Sequence, residues 1–225
     1  MKSKLKVGDI FYLETEEHHR YVFGKILFDV DKQYHKVVDT AQFSSDYFPY
    51  LLMSHDGCQL VEMYEGIYDN IIDFKKDKAI ITRVFTKKID TKNNILNWGL
   101  VQQEDVDYTK IEFPEQLNRS NNHIYLDRGE ISIKTNISID EGDKLGFKTK
   151  IYVPPTIADA CLHFQNRRDL IPEDVRWPIY LENNDLLYNQ ELRNKIYTDL
   201  NIDPDKSYYE LSKEMGFDLA RFYEK

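Results

Sequence analysis

What this chain of 225 residues has little of narrows its reading quickly. It holds two cysteines, Cys58 and Cys161. A single pair makes no disulfide framework in a chain of this length, and no zinc-type spacing accompanies it, so reduced, buried thiols are expected. No apolar run approaches the ~20 residues that a membrane-spanning helix needs, which argues against a membrane partner. Lys2, Lys4 and Lys6 make a basic start, but Asp9 and Glu14 interrupt any secretory apolar region, so a cytoplasmic location is expected. Basic residues are outnumbered, 30 against 39 acidic, for a net charge of −9. Phosphate contacts dominate nucleic-acid affinity, so a chain this acidic is a poor general DNA or RNA binder. The same charge serves solubility, and it suits a basic protein partner.

Catalytic signatures are missing as well. The nine glycines are dispersed, with no phosphate-cradling loop and no Gly-x-Ser-x-Gly elbow. Among the six histidines, His18 and His19 sit in a polar turn, and no pair has metal-ligand spacing. His55-Asp56-Gly57-Cys58 sets a thiol near a histidine, but residues three apart in a turn rarely form a nucleophile–base pair. Asp140-Glu141-Gly142-Asp143 lacks the twelve-residue ligand spacing of a calcium loop and reads as an acidic hairpin turn. No catalytic residue, metal or cofactor is expected.

What is present is a strand-rich body and a helical end. Val7 to Leu13 and Tyr21 to Phe28 are β-branched and aromatic, and they flank the polar stretch Glu14 to Arg20 as a hairpin would. Apolar residues occupy both faces of both strands, which favours a curled sheet or small barrel. Gly24 inside the second strand suggests a bulge or tight bend. Further strands are expected over Gln59–Met63, Ala79–Phe85, Leu96–Gln102, Ile124–Leu126 and Glu130–Ile133. Phe147–Val153 alternates most regularly of all. Turn signals include His55 to Gly57, Asp90 to Asn94, Asn118 to Asn122 and Asp127 to Gly129.

Pro154-Pro155 marks a change of texture. Thr156 and Asp159 have the spacing of a capping box, and Ile157, Ala160, Cys161 and Phe164 follow at helical period, so Cys161 should face the core. A second helix is expected from about Asp185 to Asn201, with Tyr188, Leu192, Ile196 and Leu200 in one stripe. Ser207-x-x-Glu210 opens a third, with Tyr208, Leu211 and Met215 on its apolar face and Gly216 ending it. Phe217 to Tyr223 completes the chain as a short helix. The class is therefore α+β: a strand-rich curled sheet or small barrel over residues 1–153, then a helical extension over 154–225 docked onto it.

Lys6-Val7-Gly8-Asp9-Ile10-Phe11, followed by Tyr21-Val22-Phe23-Gly24-Lys25-Ile26-Leu27, resembles the start of the immunity protein 26 family of bacterial polymorphic-toxin systems. Those proteins open with a Val-Gly-Asp-Ile/Val-Phe strand and continue with a Tyr-x-Phe-Gly-Lys/Arg-Val/Ile-Leu strand. Asn97-Trp98-Gly99-Leu100-Val101 and Pro114 resemble a later part of the family more loosely, Gly99 departing from the pattern by following Trp98 directly. The resemblance runs from about Lys4 to Lys134 and leaves the helical tail outside it. It implies a non-enzymatic, intracellular protein that binds and neutralises a cognate toxin.

Aromatic and acidic residues interleave in Asp46-Tyr47-Phe48-Pro49-Tyr50 and in Glu62 to Asp69. Tyrosines supply contact area at low entropic cost, and neighbouring carboxylates would meet lysines or arginines of a basic toxin. The candidate partner-binding residues are Asp46, Tyr47, Tyr50, Tyr64, Glu65, Tyr68 and Asp69. The competing reading puts these rings in the core and the acids in water. Two other functions stay open: an enzyme of unrecognised type with a site between sheet and helical tail, and a scaffold binding a peptide along an uncharged strand edge. The oligomeric state is open too.

Overall fold

A computed structural model describes residues 4–39, 51, 55–120, 122–145, 151–173, 175 and 178–224. Among these, eight strands form two antiparallel sheets: β1 (Asp9–Glu14), β2 (Tyr21–Asp29), β3 (Cys58–Tyr64), β4 (Ala79–Lys87), β5 (Trp98–Gln103), β6 (Glu115–Ser120), β7 (His123–Arg128) and β8 (Ile131–Lys134). The main helices are α1 (Ile139–Leu145), α2 (Pro154–Phe164), α3 (Pro178–Asn184), α4 (Gln190–Asp199) and α5 (Tyr208–Glu214). The class is α+β, and helices concentrate in the C-terminal half. No described helix is long and apolar enough to cross a membrane.

The chain divides into two compact units, each built from three segments. The first takes Met1–Val30, Gly57–Val106 and Ile151–Ile179; the second takes Asp31–Asp56, Asp107–Lys150 and Tyr180–Lys225. Residues 154–225 are thus shared between the units, and the change of texture at Pro154 is a change of secondary structure within the first.

In the first unit the sheet order is β4-β3-β2-β1-β5. It ends in two edges, so the barrel alternative is not realised. The opening hairpin pairs Phe11 with Gly24 and Leu13 with Val22, and both strands are buried along most of their length. Gly24 is not the expected bulge: its own pairs are regular, and the register slips instead between Ile26 and Phe28, leaving Leu27 as the extra residue. The glycine is there for closeness. A Cβ at Gly24 would lie 2.5 Å from the Glu62 carbonyl oxygen and from the Met63 sulfur, and 2.8 Å from the Phe11 ring. Contacts that short belong to no real side chain, so the strand must stay bare there.

Helix α2 packs against β4 and β1 of this sheet. It begins at Pro154, two residues before the expected Thr156, with Val153 as an N-cap that makes no side-chain bond. The capping box is superfluous because prolines at the first helical positions have fixed φ and no N–H to satisfy. Ile157, Ala160 and Cys161 are buried, and burial pushes the Cys161 thiol pKa well above its usual value; both cysteines are free. Most of the expected strand Phe147–Val153 lies outside the described residues. Its end forms a parallel bridge, with Lys87 N–H donating to the Tyr152 carbonyl (2.8 Å) and Tyr152 N–H to that of Phe85 (2.9 Å).

The second unit carries the meander β6-β7-β8. Asn118 to Ser120, expected in a turn, are strand, and Asn122, directly before β7, adopts a left-handed φ of 59°. Asp140 to Asp143 are a further correction, for they lie in α1 and not in a hairpin turn. The Ser138 hydroxyl oxygen accepts from Glu141 N–H (3.2 Å), and acidic residues in a first helical turn meet the positive end of its dipole. Leu117, Ile124 and Leu126 pack with Leu186, Ile196 and Tyr197 into one core; Leu192, Ile196 and Leu200 of the expected stripe face it, while Tyr188 lies in a 3-10 turn (Leu186–Tyr188) before α4, which starts at Gln190. At α5 the reciprocal Ser207–Glu210 capping box forms, Tyr208 and Leu211 are buried, and Met215 turns out to be exposed beyond the helix end. Gly216 follows with a φ of 88°.

Candidate functional site

The hairpin loop between β1 and β2 is closed by two bonds. Thr15 N–H donates to the Arg20 carbonyl (2.8 Å), and Arg20 N–H donates to the Thr15 hydroxyl oxygen (3.1 Å). His19 takes a φ of 47° inside it. This geometry holds Glu16 and Glu17 out as exposed residues. Within the same unit, α2 brings Asp159 to their side, and together they border a small, open notch of about 10 Å³. Its apolar lining comes from Leu96, Pro155, Ala158, Leu170 and Pro172. Leu96, Ala158 and Leu170 are buried, so the bottom of the notch is apolar and its border acidic.

The three carboxylates have an unusual status. None of Glu16, Glu17 and Asp159 makes a hydrogen bond or ion pair with another described residue. Asp159 is pushed up to about 6, first by its burial and then by the negative charges of Glu16 and Glu17. An acid raised by burial and by like charge is one for which no protein cation compensates. Some other acids of this unit do have partners. Glu104 meets Lys76 and Lys25, which hold it below its ordinary range, and Asp169 is lowered by Arg167. The notch is too small to take in a long side chain, but its acidic border can meet the charged head of a lysine or arginine lying against it.

Residues expected from the sequence to bind a partner sit differently. Asp46, Tyr47 and Tyr50 lie outside the described residues. Tyr64 is 2 % exposed; its hydroxyl donates to Glu62 (2.8 Å), and burial, with that carboxylate's help, raises its pKa far above the usual phenol value. Tyr68 is half-buried, its ring edge-on to Phe23 at 5.3 Å and its hydroxyl donating to the Lys75 carbonyl (2.9 Å). Phe23 also stacks on Phe74 at 4.1 Å, a contact worth about 1 kcal/mol beyond its area. Glu65 pairs with Lys78 (3.0 Å) and Asp69 with Arg20. The aromatic members of this stretch therefore fill or border an interior cluster, and its two acids are already neutralised within the chain.

Glu16, Glu17 and Asp159 escape sequence reading because hairpin-loop acids look like solvated turn residues. Asp159 in turn looks like the end of a capping box. Their convergence is a tertiary fact, set by α2 crossing to β1.

In the second unit, Asp31, His35 and Asp56 bring three potential ligand atoms within 4.8 Å of one another. His35 Nδ1 is 3.3 Å from Asp31 and 3.7 Å from Asp56. Asp31 and His35 are four apart on a helical stretch, Asp56 is largely exposed, and the arrangement works as an ion-pair triad whenever the ring is charged. Buried charge here is otherwise met by charge. Glu115 is fully buried and receives Arg193 through Nε (2.6 Å) and Nη2 (3.1 Å), with Arg128 Nε at 3.5 Å. Arg128 also pairs with Glu112, whose other oxygen accepts from Tyr208 N–H (3.0 Å). Glu130 pairs with Arg221, yet burial still pushes it up to about 7. Comparison with family models, with curated proteins and with solved structures finds no match for this chain.

Proposed function

We propose that this chain is a non-enzymatic, cytoplasmic immunity protein that binds and neutralises a basic bacterial toxin by covering its working surface. The reading begins with the resemblance of Lys6 to Phe11 and Tyr21 to Leu27 to the immunity protein 26 family. The single observation that carries it further is the acidic notch at the loop of that same hairpin. Glu16, Glu17 and Asp159 meet no cation among the described residues of their unit, and a partner's lysine or arginine would supply one. For a nuclease toxin, the acids would occupy the place that phosphates take on its surface. Charge pairs that a partner covers and desolvates can carry a large share of binding energy, whereas pairs left at an interface border carry little.

The test is co-expression with the product of the immediately upstream gene, scored by growth and by co-purification. The wild-type chain is expected to restore growth as a stoichiometric complex. Reversing Glu16 and Glu17 to lysine together should weaken that complex tenfold or more, about 1.4 kcal/mol, while leaving the thermal transition in place. A harmless neighbour, or a complex indifferent to the reversal, rejects the reading.

A further inference from the structure

The notch beside Asp159 has room for about one water, but the second unit holds a cavity of a different scale. About 410 Å³ lies open to solvent between the end of α1, the second half of α3 and the start of α4, lined by Leu145, Glu182, Asn183, Tyr188 and Asn189. Small-molecule sites commonly run from about 300 to 1,000 Å³. The walls are fastened to the interior. Asp185 is buried, and its Oδ1 accepts from Leu187 N–H (2.9 Å) and from Glu115 N–H of β6 (3.2 Å), so the turn that follows α3 is tied to the sheet. Leu186 is fully buried in the core beneath that sheet, and Leu145 packs against the same core from α1. Asn189 caps α4, its Oδ1 accepting from Leu192 N–H (3.1 Å). Asn184 and Asp185 turn inward, whereas Asn183 is exposed, and its side chain makes no hydrogen bond with another described residue.

We propose that this cavity binds a neutral, hydroxyl-rich small molecule of the hexose-sugar class. The lining chooses the ligand. A carboxamide carries donor and acceptor on one plane, which matches two neighbouring hydroxyls, each able to donate and to accept. Asn183 offers both functions, and Asn189, its oxygen committed to the cap, offers its NH2 group. Glu182 adds a carboxylate with about four acceptor positions, so it can take a ligand hydroxyl beside any bond it already makes. Leu145 and the Tyr188 ring supply an apolar wall for the C–H face of a pyranose. Other ligand classes fit worse. An apolar molecule would strip water from the carboxamides and leave them unpaired, and a phosphate or carboxylate would meet Glu182 as a like charge. With few polar contacts and an open mouth, the expected dissociation constant is about 1 mM. The site is independent of the immunity reading, for it lies in the second unit, beyond the stretch that carries the resemblance, and shares no residue with the acidic notch.

The test is a titration of the full-length, isotope-labelled chain with glucose, galactose and mannose, read in the side-chain amide resonances of Asn183 and Asn189 and by saturation transfer to the sugars. At least one hexose should shift both amide pairs at about 10 mM, tenfold above the expected dissociation constant. Asn183→Ala, at an exposed position, should weaken that binding tenfold or more. So should Asn189→Asp, which keeps an oxygen for Leu192 N–H but replaces the donor with an acceptor. Both variants should keep the wild-type thermal transition, and glucose 6-phosphate should bind more weakly than glucose. No shift with any of the three sugars, shifts confined to residues elsewhere, binding indifferent to both substitutions, or tighter binding of glucose 6-phosphate would each overturn the inference. The wild-type amide shifts need no variant, so they decide the matter even where a substitution unfolds the chain.

Discussion

Two groups of acids, one in each compact unit, meet opposite surroundings. In the second, Glu115 is fully buried and is held by two guanidinium groups, and Glu112 is paired on one oxygen and hydrogen-bonded on the other. In the first, Asp159 is partly buried beside Glu16 and Glu17, and no cation among the described residues answers them. Taking a charge out of water is tolerated when the interior supplies its counter-charge, and it is destabilising when it does not. The paired acids hold their unit together, whereas the unpaired ones are a standing cost that a bound partner can relieve. The architectural acid is the more buried of the two, so burial alone does not tell a compensated acid from an uncompensated one.

The hardest way to break the comparison is to remove a paired acid. Glu115→Ala would leave Arg193, and in part Arg128, without their carboxylate. Breaking a buried pair from one side costs about 3–5 kcal/mol. A urea titration followed by the tyrosine-rich core of the second unit should register a loss of that size. A variant within about 1 kcal/mol of wild type would mean that the network is not structural.

Glu130 tests the same idea through pH. Its ordinary value is 4.5, and burial raises it to about 7 against the opposing pull of Arg221 and of a hydrogen bond from Tyr34. Between those two values the folded chain holds a proton that the unfolded chain has released. Stability from this group is therefore greatest below about pH 4.5 and declines as pH rises towards 7, by about 2–3 kcal/mol in all. Glu130→Gln keeps the shape and removes the titration, so its stability relative to wild type should climb across that window. Parallel urea midpoints for both proteins from pH 5 to 8 would contradict the assignment.

Much of the fold is legible in the sequence where local signals and packing agree. The opening hairpin, β3, β4, β7 and the Ser207–Glu210 cap follow from alternation, β-branching and side-chain capping alone. The failures have physical causes. A glycine inside a strand suggests a bulge or tight bend, and only the third dimension reveals the Phe11 ring, the Met63 sulfur and the Glu62 carbonyl crowding Gly24. The charge of Asp140 to Asp143 suggests a turn, whereas Ser138-x-x-Glu141 has the spacing of an ordinary helix opening. The site was the least legible part. Tyr64 looked like surface beside its acids and is core. Glu65 and Asp69 find cations far away in sequence, and the three acids that find none come from two segments about 140 residues apart.

The smallest expected effect is the most telling one, because its sign is opposite to that of Glu115. Asp159 is raised from 3.8 to about 6, so between those values the folded chain is the better proton binder and stability falls as pH rises. Asp159→Asn removes an uncompensated charge without changing the volume of the side chain. It should therefore stabilise the protein above pH 6, by about 1 kcal/mol once the partial exposure of the site is discounted, and give no advantage near pH 4. A partner's lysine or arginine would do what the substitution does, drawing the proton off and repaying the repulsion among the three acids. Binding of a basic partner at the notch should accordingly release a proton near pH 6 and weaken as the solution is acidified, and the Asn variant should lose both behaviours. Calorimetry in two buffers of different ionisation heat measures that proton directly. A complex that forms with no proton release at pH 6 would leave Asp159 as a tolerated defect of the fold and would move the binding surface elsewhere on the unit.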